Sequence, residues 1–476
     1  MLFIATSYNK RLTSDVIVLP LWSEKGKADP AASNILQLAK PGLIDFKGKE
    51  SEIILLYGAR KDKRILLLGL GARSKCTDEV LRRAYGAACK RMQELSVKDI
   101  NIVLPEEGSA GALAEGLALA NYAFESLKSK SSQVLIKKVT LLGAEKDDLA
   151  SAKRAGKLAE AVAFTRDLVN GNADDVNPQY LAKIACEMGK HSKVTTEVFD
   201  RQRLEKEKMG LILAVNRGSH RDPYLLIVRY VGDPEGKDHT VIVGKGVTYD
   251  TGGLNLKPTG FMEEMKTDMG GAAAALGTVK AAMLLNLKVN VTAVVPTTEN
   301  GIDAESYKPG DVYTSYKGTT VEIGNTDAEG RLILADALAY TAKHLEPTRI
   351  VDLATLTGAI VIALGEERTG LFSNNDKLAK GIEEAAKSTG EKVWRLPLDK
   401  EYKELLKSDI ADIRNCGKRS AGSVTAAIFL QEFVGNTPWA HLDIAGTAYP
   451  DVRKSYQPSK ATGVGVRLLT EFLEHA

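Results

Sequence analysis

HTVIVGKG at residues 239–246, VNVTAVVP at 289–296 and TRIVDLATL at 348–356 are short apolar runs, rich in β-branched residues and without polar alternation. Strands that are apolar on both sides are covered on both sides, so these segments predict the interior of a sheet with helices above and below it. The stretches GGAAAALGTVKAAMLL (270–285) and ILADALAYTAKHL (333–345) read as two of those helices. Gly270 and Gly271 weaken the first of them at its start, but let a neighbouring backbone approach closely. Upstream, SEIILLYG (51–58), RILLLGLG (64–71), the amphipathic DEVLRRAYGAACKRMQEL (78–95) and DINIVLP (99–105) alternate strand and helix in the manner of an open α/β sheet.

With 476 residues the chain exceeds what one hydrophobic core organises, so two domains are expected. A helical stretch over 149–169 runs into NGNADDVNPQYL (170–181), whose Asn, Gly, Asp and Pro mark a break. The expected division is therefore an N-terminal α/β domain at 1–160 and a larger C-terminal α/β domain at 161–476. The turn GLGARS (69–74) lacks both the full GxGxxG and the GK[ST] of phosphate loops, and reads as a plain strand-to-helix turn.

The 64 Lys and Arg nearly balance the 61 Asp and Glu, giving a formal net charge of +3, too little for whole-chain electrostatics to demand nucleic acid or anionic lipid. Cys76, Cys89, Cys186 and Cys416 show no CxxC spacing, which argues against a disulfide framework or a thiolate zinc site. The start, MLFIATSYNKRL, has no positively charged leader before its apolar run, and each later apolar stretch is interrupted well short of about 18 residues. A cytoplasmic protein with no membrane segment is the expectation.

Two stretches concentrate groups that are costly to bury. VGKGVTYDTGGLNLKPTGFMEEMKTDMGG (243–271) holds Lys245, Asp250, Lys257 and Asp268, and GNTDAEGRLILAD (324–336) holds Asp327, Glu329 and Arg331. Lys245 follows directly on an apolar strand, so it either pairs with a carboxylate or loses its proton and exposes a nitrogen lone pair. Asp327, Glu329 and Arg331 recur at every second position, which puts them on one side if the segment is extended. Converging carboxylates repel one another in a low dielectric and call for cations. Zinc, manganese and magnesium all accept carboxylate oxygen, and a lysine nitrogen favours zinc. The six histidines form no HExxH pair.

NTDAEGRL at 325–332 matches the signature octapeptide of the leucine aminopeptidase (cytosol aminopeptidase) family in full, and GKGVTYDTGG with the following KP and MKTDMGGAA resembles that family's metal-binding segment. NCGKRSAGSVTAAIFLQEFV (415–434) and WAHLDIAGTAY (439–449) resemble its closing segments. The resemblance implies a macro-domain-like N-terminal domain, a C-terminal catalytic domain with a mixed central sheet, and a leucyl aminopeptidase: a metallo-exopeptidase that releases N-terminal residues, leucine preferentially, by attack of a bridging hydroxide. It further implies two divalent ions, zinc or manganese, held by Lys245, Asp250, Asp268 and Glu329 at one site and by Asp250, Asp327 and Glu329 at the other. Lys257 would stabilise the oxyanion, and Arg331 would hold a bicarbonate that relays a proton.

By the same matching, Met265, Asn325, Ala328, Thr355, Leu356 and Gly358 would shape the pocket for the first side chain, although Thr355 and Leu356 also read as core at a strand end. His441, a lone histidine in an apolar strand, reads as core. Tyr249 stands where the family commonly has phenylalanine, and Lys418 where it commonly has glycine. The implied assembly is a homohexamer acting on peptides with a free N-terminus. An alternative or additional role in binding DNA would draw on RKDKR (60–64) and Lys128, Lys130, Lys137 and Lys138, patches that also read as solvated faces.

Overall fold

The computed structural model describes residues 1–476 other than 25–36, 38, 40–42, 58–60, 106, 131–132, 452–454 and 459. The chain divides into two compact units, one of Met1–Ala163 with Val452–Ser459 and one of Phe164–Asp451 with Lys460–Ala476.

In the first unit, β1 (Leu2–Thr6), β2 (Val16–Leu21), β3 (Ile53–Tyr57), β4 (Arg64–Gly69), β5 (Asp99–Val103) and β6 (Lys138–Leu142) form a sheet in the order β1-β6-β5-β2-β4-β3. Neighbours run parallel except β3, which lies antiparallel to β4 at one edge. The helix Asp78–Glu94 begins where the Thr77 hydroxyl accepts a hydrogen bond from Val80 N, and Ala110–Ala120 where Ser109 accepts one from Ala112 N. A buried Arg82–Glu115 pair at 2.6 Å joins these helices. Tyr456 is buried in this unit and donates its hydroxyl to Glu79 at 3.0 Å.

The second unit carries the mixed α/β sheet expected for the C-terminal domain. Its strands are β7 (Val194–Phe199), β8 (Tyr224–Val231), β9 (Thr240–Gly244), β10 (Gly246–Asp250), β11 (Asn290–Asn300), β14 (Arg349–Ala354), β15 (Thr369–Ser373), β16 (Val393–Arg395) and β18 (Trp439–Asp443). The order is β16-β15-β18-β14-β9-β11-β8-β7, with β10 also pairing β11. The centre, β18-β14-β9-β11, is parallel, whereas β8 and β7 on one side and β15 against β18 on the other are antiparallel. A small separate sheet pairs β12 (Val312–Thr314), β13 (Thr320–Glu322) and β17 (Ile413–Arg414).

Alternate residues of the central strands feed two cores. Ile242, Val351 and Leu353 pack with the helices Pro178–Met188, Gly270–Leu285, Asp376–Thr389 and Val466–His475. Val241, Val243 and Ile350 pack with Gly210–Asn216, Glu329–His344 and Gly422–Gln431. Helices on both faces explain why the strands carry no polar alternation.

The helix Gly270–Leu285 is stitched to the strand ends through backbone alone: Lys245 N donates to Leu353 O at 3.0 Å, and Ala272 N donates to Lys245 O at 2.9 Å. A Cβ on Gly271 would stand 2.1 Å from Leu353 O and 2.9 Å from Lys245 N. Gly270 has no such constraint, since the nearest atom to its would-be Cβ is 3.5 Å away. Replacing Gly271 by valine should therefore lower the stability measured by urea unfolding by about 1 to 3 kcal/mol or more, whereas Gly270→Ala should cost much less. Equal midpoints for the two variants would show that the helix start can retreat from the sheet.

Candidate active site

Parallel strands present their C-terminal ends to one edge of the sheet, and ligands of open α/β sheets bind there. Lys245 follows β9, Asp250 closes β10, and Thr355 follows β14. Asp268 and Met265 come from the turn just before the helix Gly270–Leu285, and Glu329 opens the helix Glu329–His344. Every residue singled out in the sequence as ligand, catalyst or pocket wall lines a single cleft of about 720 Å³ in the second unit.

The floor of the cleft is an ion cluster. Lys245 Nζ lies 2.8 Å from Asp268 Oδ2 and 2.8 Å from Glu329 Oε1, and donates to Thr355 O at 3.0 Å. Lys257 Nζ lies 2.7 Å from Asp250 Oδ2 and 2.5 Å from Asp327 Oδ1. Lys245 and Glu329 are only 3% and 1% exposed, so these charges are almost fully removed from water. A Cβ at position 330 would meet Lys245 Nζ at 2.6 Å, so only glycine leaves room for the ammonium against the helix start.

Burial sets the protonation balance. It pushes the Asp250 carboxyl up to about 6, with Glu329 and Asp327 adding to the effect and Lys257 and Lys245 opposing it. Burial likewise holds Asp268 well above the usual carboxylate range, and raises Asp327. Glu329 ends below its ordinary value, since Lys245 and Lys257 together overcome its desolvation. Burial also works against the charge on both lysines, but the surrounding carboxylates outweigh it and raise both. Lys245 is thus paired with carboxylates, one of the two outcomes its sequence position allows.

The donor set suits divalent cations. Glu329 Oε2 is buried without a hydrogen-bond partner, while Asp268 Oδ2 and Glu329 Oε1 have only the ammonium of Lys245. Asp250, Asp327 and Glu329 each offer a carboxylate oxygen, all within 4.8 Å of one another. Unsatisfied buried anionic oxygens at such spacing match the chemistry of hard or borderline metal ions.

The second stretch reaches this geometry by a route different from the extended one. Glu329 and Arg331 lie in the first turn of a helix, so two residues turn them about 200° apart and they face different ways. Arg331 Nη1 instead donates to Asn415 O at 2.9 Å, and its buried Nε has no hydrogen-bond partner. Thr355 is not merely core, because its hydroxyl donates to Asp268 Oδ1 at 2.8 Å. His441 is fully buried, and Asp352, at 2.6 Å from its Nδ1, favours its charged form strongly enough to overcome burial.

Sequence reasoning missed the amides that brace the cluster. Asn300 Nδ2 donates to Asp250 Oδ1 at 2.8 Å and to Thr326 O at 3.1 Å. Asn415 Oδ1 accepts from Gly324 N at 2.7 Å and Asn325 N at 3.2 Å, and its Nδ2 donates to Asn325 O at 2.8 Å. Asn415 opens the closing segment NCGKRSAG, but a fully buried asparagine reveals itself only once the loop it holds is known.

Fold and floor together define a metal-dependent hydrolase with an open substrate cleft. The sequence matches the cytosol aminopeptidase family, catalytic domain, over residues 163–470 and its N-terminal domain over 20–131. It is 52% identical to the probable cytosol aminopeptidase of Protochlamydia amoebophila (strain UWE25) over 484 residues, covering 98% of this chain and 97% of that one. Identity to the probable cytosol aminopeptidase of Chlamydia felis (strain Fe/C-56) is 47%, with 98% and 97% covered. Among solved structures, a mutant tomato leucine aminopeptidase aligns with a TM-score of 0.89 at 33% identity, covering 100% of this chain and 96% of that one. The bottromycin maturation enzyme BotP in complex with Mn aligns with a TM-score of 0.87 at 32% identity, covering 97% and 99%. The chain belongs to the cytosol aminopeptidase family, and is accordingly an aminopeptidase.

Removing the Asn415 amide would leave the half-buried N–H groups of Gly324 and Asn325 without this partner, at a cost of up to about 1 to 3 kcal/mol. Asn415→Ala should therefore lower both stability and peptidase activity, read by thermal unfolding and by turnover of a leucyl anilide. Wild-type values for both would show that the 324–328 turn holds its shape unaided.

Proposed function

We propose that this protein is a leucyl aminopeptidase of the cytoplasm, working as a homohexamer on peptides with a free N-terminus and preferring leucine in first place. The carrying observation is the cleft floor, where Asp250, Asp268, Asp327 and Glu329 crowd around two lysines with buried oxygens left unsatisfied. The catalytic work is assigned to residues 161–476, with 1–160 as a separate N-terminal domain. Lys245, Asp250, Asp268 and Glu329 would hold one divalent ion, and Asp250, Asp327 and Glu329 a second, each zinc or manganese. Bound there, the pair would supply Lewis acidity and a shared water made nucleophilic near neutral pH.

The chain's own groups do the remaining work. Lys257, its charge favoured by the neighbouring carboxylates and partly open to the cleft, suits an oxyanion that develops on the scissile carbonyl. Arg331 keeps a buried Nε without a partner, and its planar fork would grip a bicarbonate that carries a proton from water to the leaving amine. Met265, Asn325, Ala328, Thr355, Leu356 and Gly358 would form the wall around the first side chain, and their largely small or apolar character suits a branched aliphatic group.

Two variants test separate parts of this reading. Glu329→Ala should lower the bound-metal count and abolish release of leucine from a leucyl anilide. Lys257→Ala should lower kcat by about 10²- to 10³-fold while the metal count stays near that of the wild type. Full turnover in purified Glu329→Ala protein would remove the two-ion assignment. Independently of activity, adding zinc or manganese to chelator-treated protein should raise its unfolding temperature, by about 2.7 kcal/mol of stability at a hundred times the dissociation constant. No rise with either ion would count against the floor as a metal site.

No observation favours the DNA reading. Lys63 pairs with Asp15 at 2.7 Å and Lys128 with Glu125 at 3.7 Å, while Arg60 lies outside the described residues.

A further inference from the structure

Toward its mouth the cleft changes sign. Among the described residues that line it, the carboxylates are the four of the floor, whereas Arg331, Lys418 and Arg419 add positive charge along one wall. Lys418 and Arg419 are exposed, and among the described residues neither has a carboxylate within ion-pair distance. Just behind them starts the helix Gly422–Gln431, without a side-chain cap, and Gly422 and Thr425 also line the cleft. Its first-turn N–H groups add further positive potential there. Deeper on the same wall, Arg331 is only 7% exposed and its Nε has no partner. The residues Phe261 and Val361, which also line the cleft, are exposed and apolar, so they offer no competing charge.

We propose that Lys418 and Arg419 form a carboxylate-recognising subsite that selects substrates by the residues beyond the scissile bond, a proposal that rests on the aminopeptidase reading. A substrate held by its amino end at the floor extends toward the mouth at about 3.3 to 3.6 Å per residue. A carboxylate one or two residues past the cleaved bond would then extend toward these long side chains, which line the same cleft. It is either an acidic side chain in second place or the free carboxyl end of a short peptide. Two flexible cations at the rim discriminate modestly and in a salt-dependent way.

The test compares kcat/KM within matched pairs: Leu-Ala against Leu-Ala-amide for the chain end, and Leu-Asp-amide against Leu-Asn-amide for the side chain. The carboxylate-bearing member of at least one pair should be favoured by about threefold to tenfold, mainly through KM, and less so at high salt. The combined Lys418→Gly and Arg419→Ala variant should close that gap. Changing both residues to glutamate should turn preference toward Leu-Lys-amide, which keeps the test open if the neutral variant does not fold. Equal cleavage within both pairs by the wild type, or an unaltered gap in the folded variants, overturns the subsite and leaves the peptidase reading intact. Failure to cleave any of the four peptides removes both.

Discussion

Four carboxylates and two ammoniums share the buried floor of the cleft, and their charges cannot balance by themselves. With all six ionised, two negative charges remain, in a place where neighbouring unit charges about 4 Å apart interact by about 4 kcal/mol even at an effective dielectric of 20. The strain is visible in the carboxyls: Asp250, Asp268 and Asp327 are pushed up and only Glu329 is pulled down. Such a cluster is a poor way to stabilise a fold, since apolar residues of the same volume would serve as well or better. On the two-ion reading proposed above, its sense would be a charge deficit ready for cations, and the surrounding architecture holds the acids in place.

Holding them there falls to groups whose geometry does not change with protonation. The ends of β9 and β14 and the start of the helix Gly270–Leu285 are joined by backbone hydrogen bonds, at a distance that only Gly271 permits. Asn300 fixes one oxygen of Asp250, leaving the other turned to Lys257. Thr326 ties the two acidic stretches together: its hydroxyl donates to Gly252 O at 2.7 Å and accepts from Asn255 N at 2.8 Å, and its carbonyl accepts from Tyr307 at 2.6 Å. Neutral amides and hydroxyls therefore frame the acids, so the frame need not rearrange when the charge inside it does.

The two-domain α/β architecture was legible because its evidence is local. Apolar runs without alternation indicate strands covered on both sides, and the segment read as a helix at 270–285 coincides with the observed one. What could not be read depends on contacts distant in sequence. Nothing in β8 announces that it runs antiparallel to β11, and nothing around residue 456 signals that its tyrosine is buried against Glu79 in the first unit. The functional stretches stood out because charges beside apolar strands are expensive and therefore conspicuous. Asn300 and Asn415 did not, because a buried amide becomes notable only through the partners it meets.

The every-second-residue spacing of Asp327, Glu329 and Arg331 shows how a correct pattern can carry a wrong geometry. In a strand the spacing would gather all three side chains and let the guanidinium neutralise the acids. Because the helix begins at Glu329, that residue turns to Lys245 while Arg331 turns to the carbonyl of Asn415. Arg331 makes no direct ion pair among the described residues, although Glu329, Asp443 and Asp327 still favour its charge against burial. One helical turn thus serves an anionic floor and a cationic wall at once, with the two side chains turned apart.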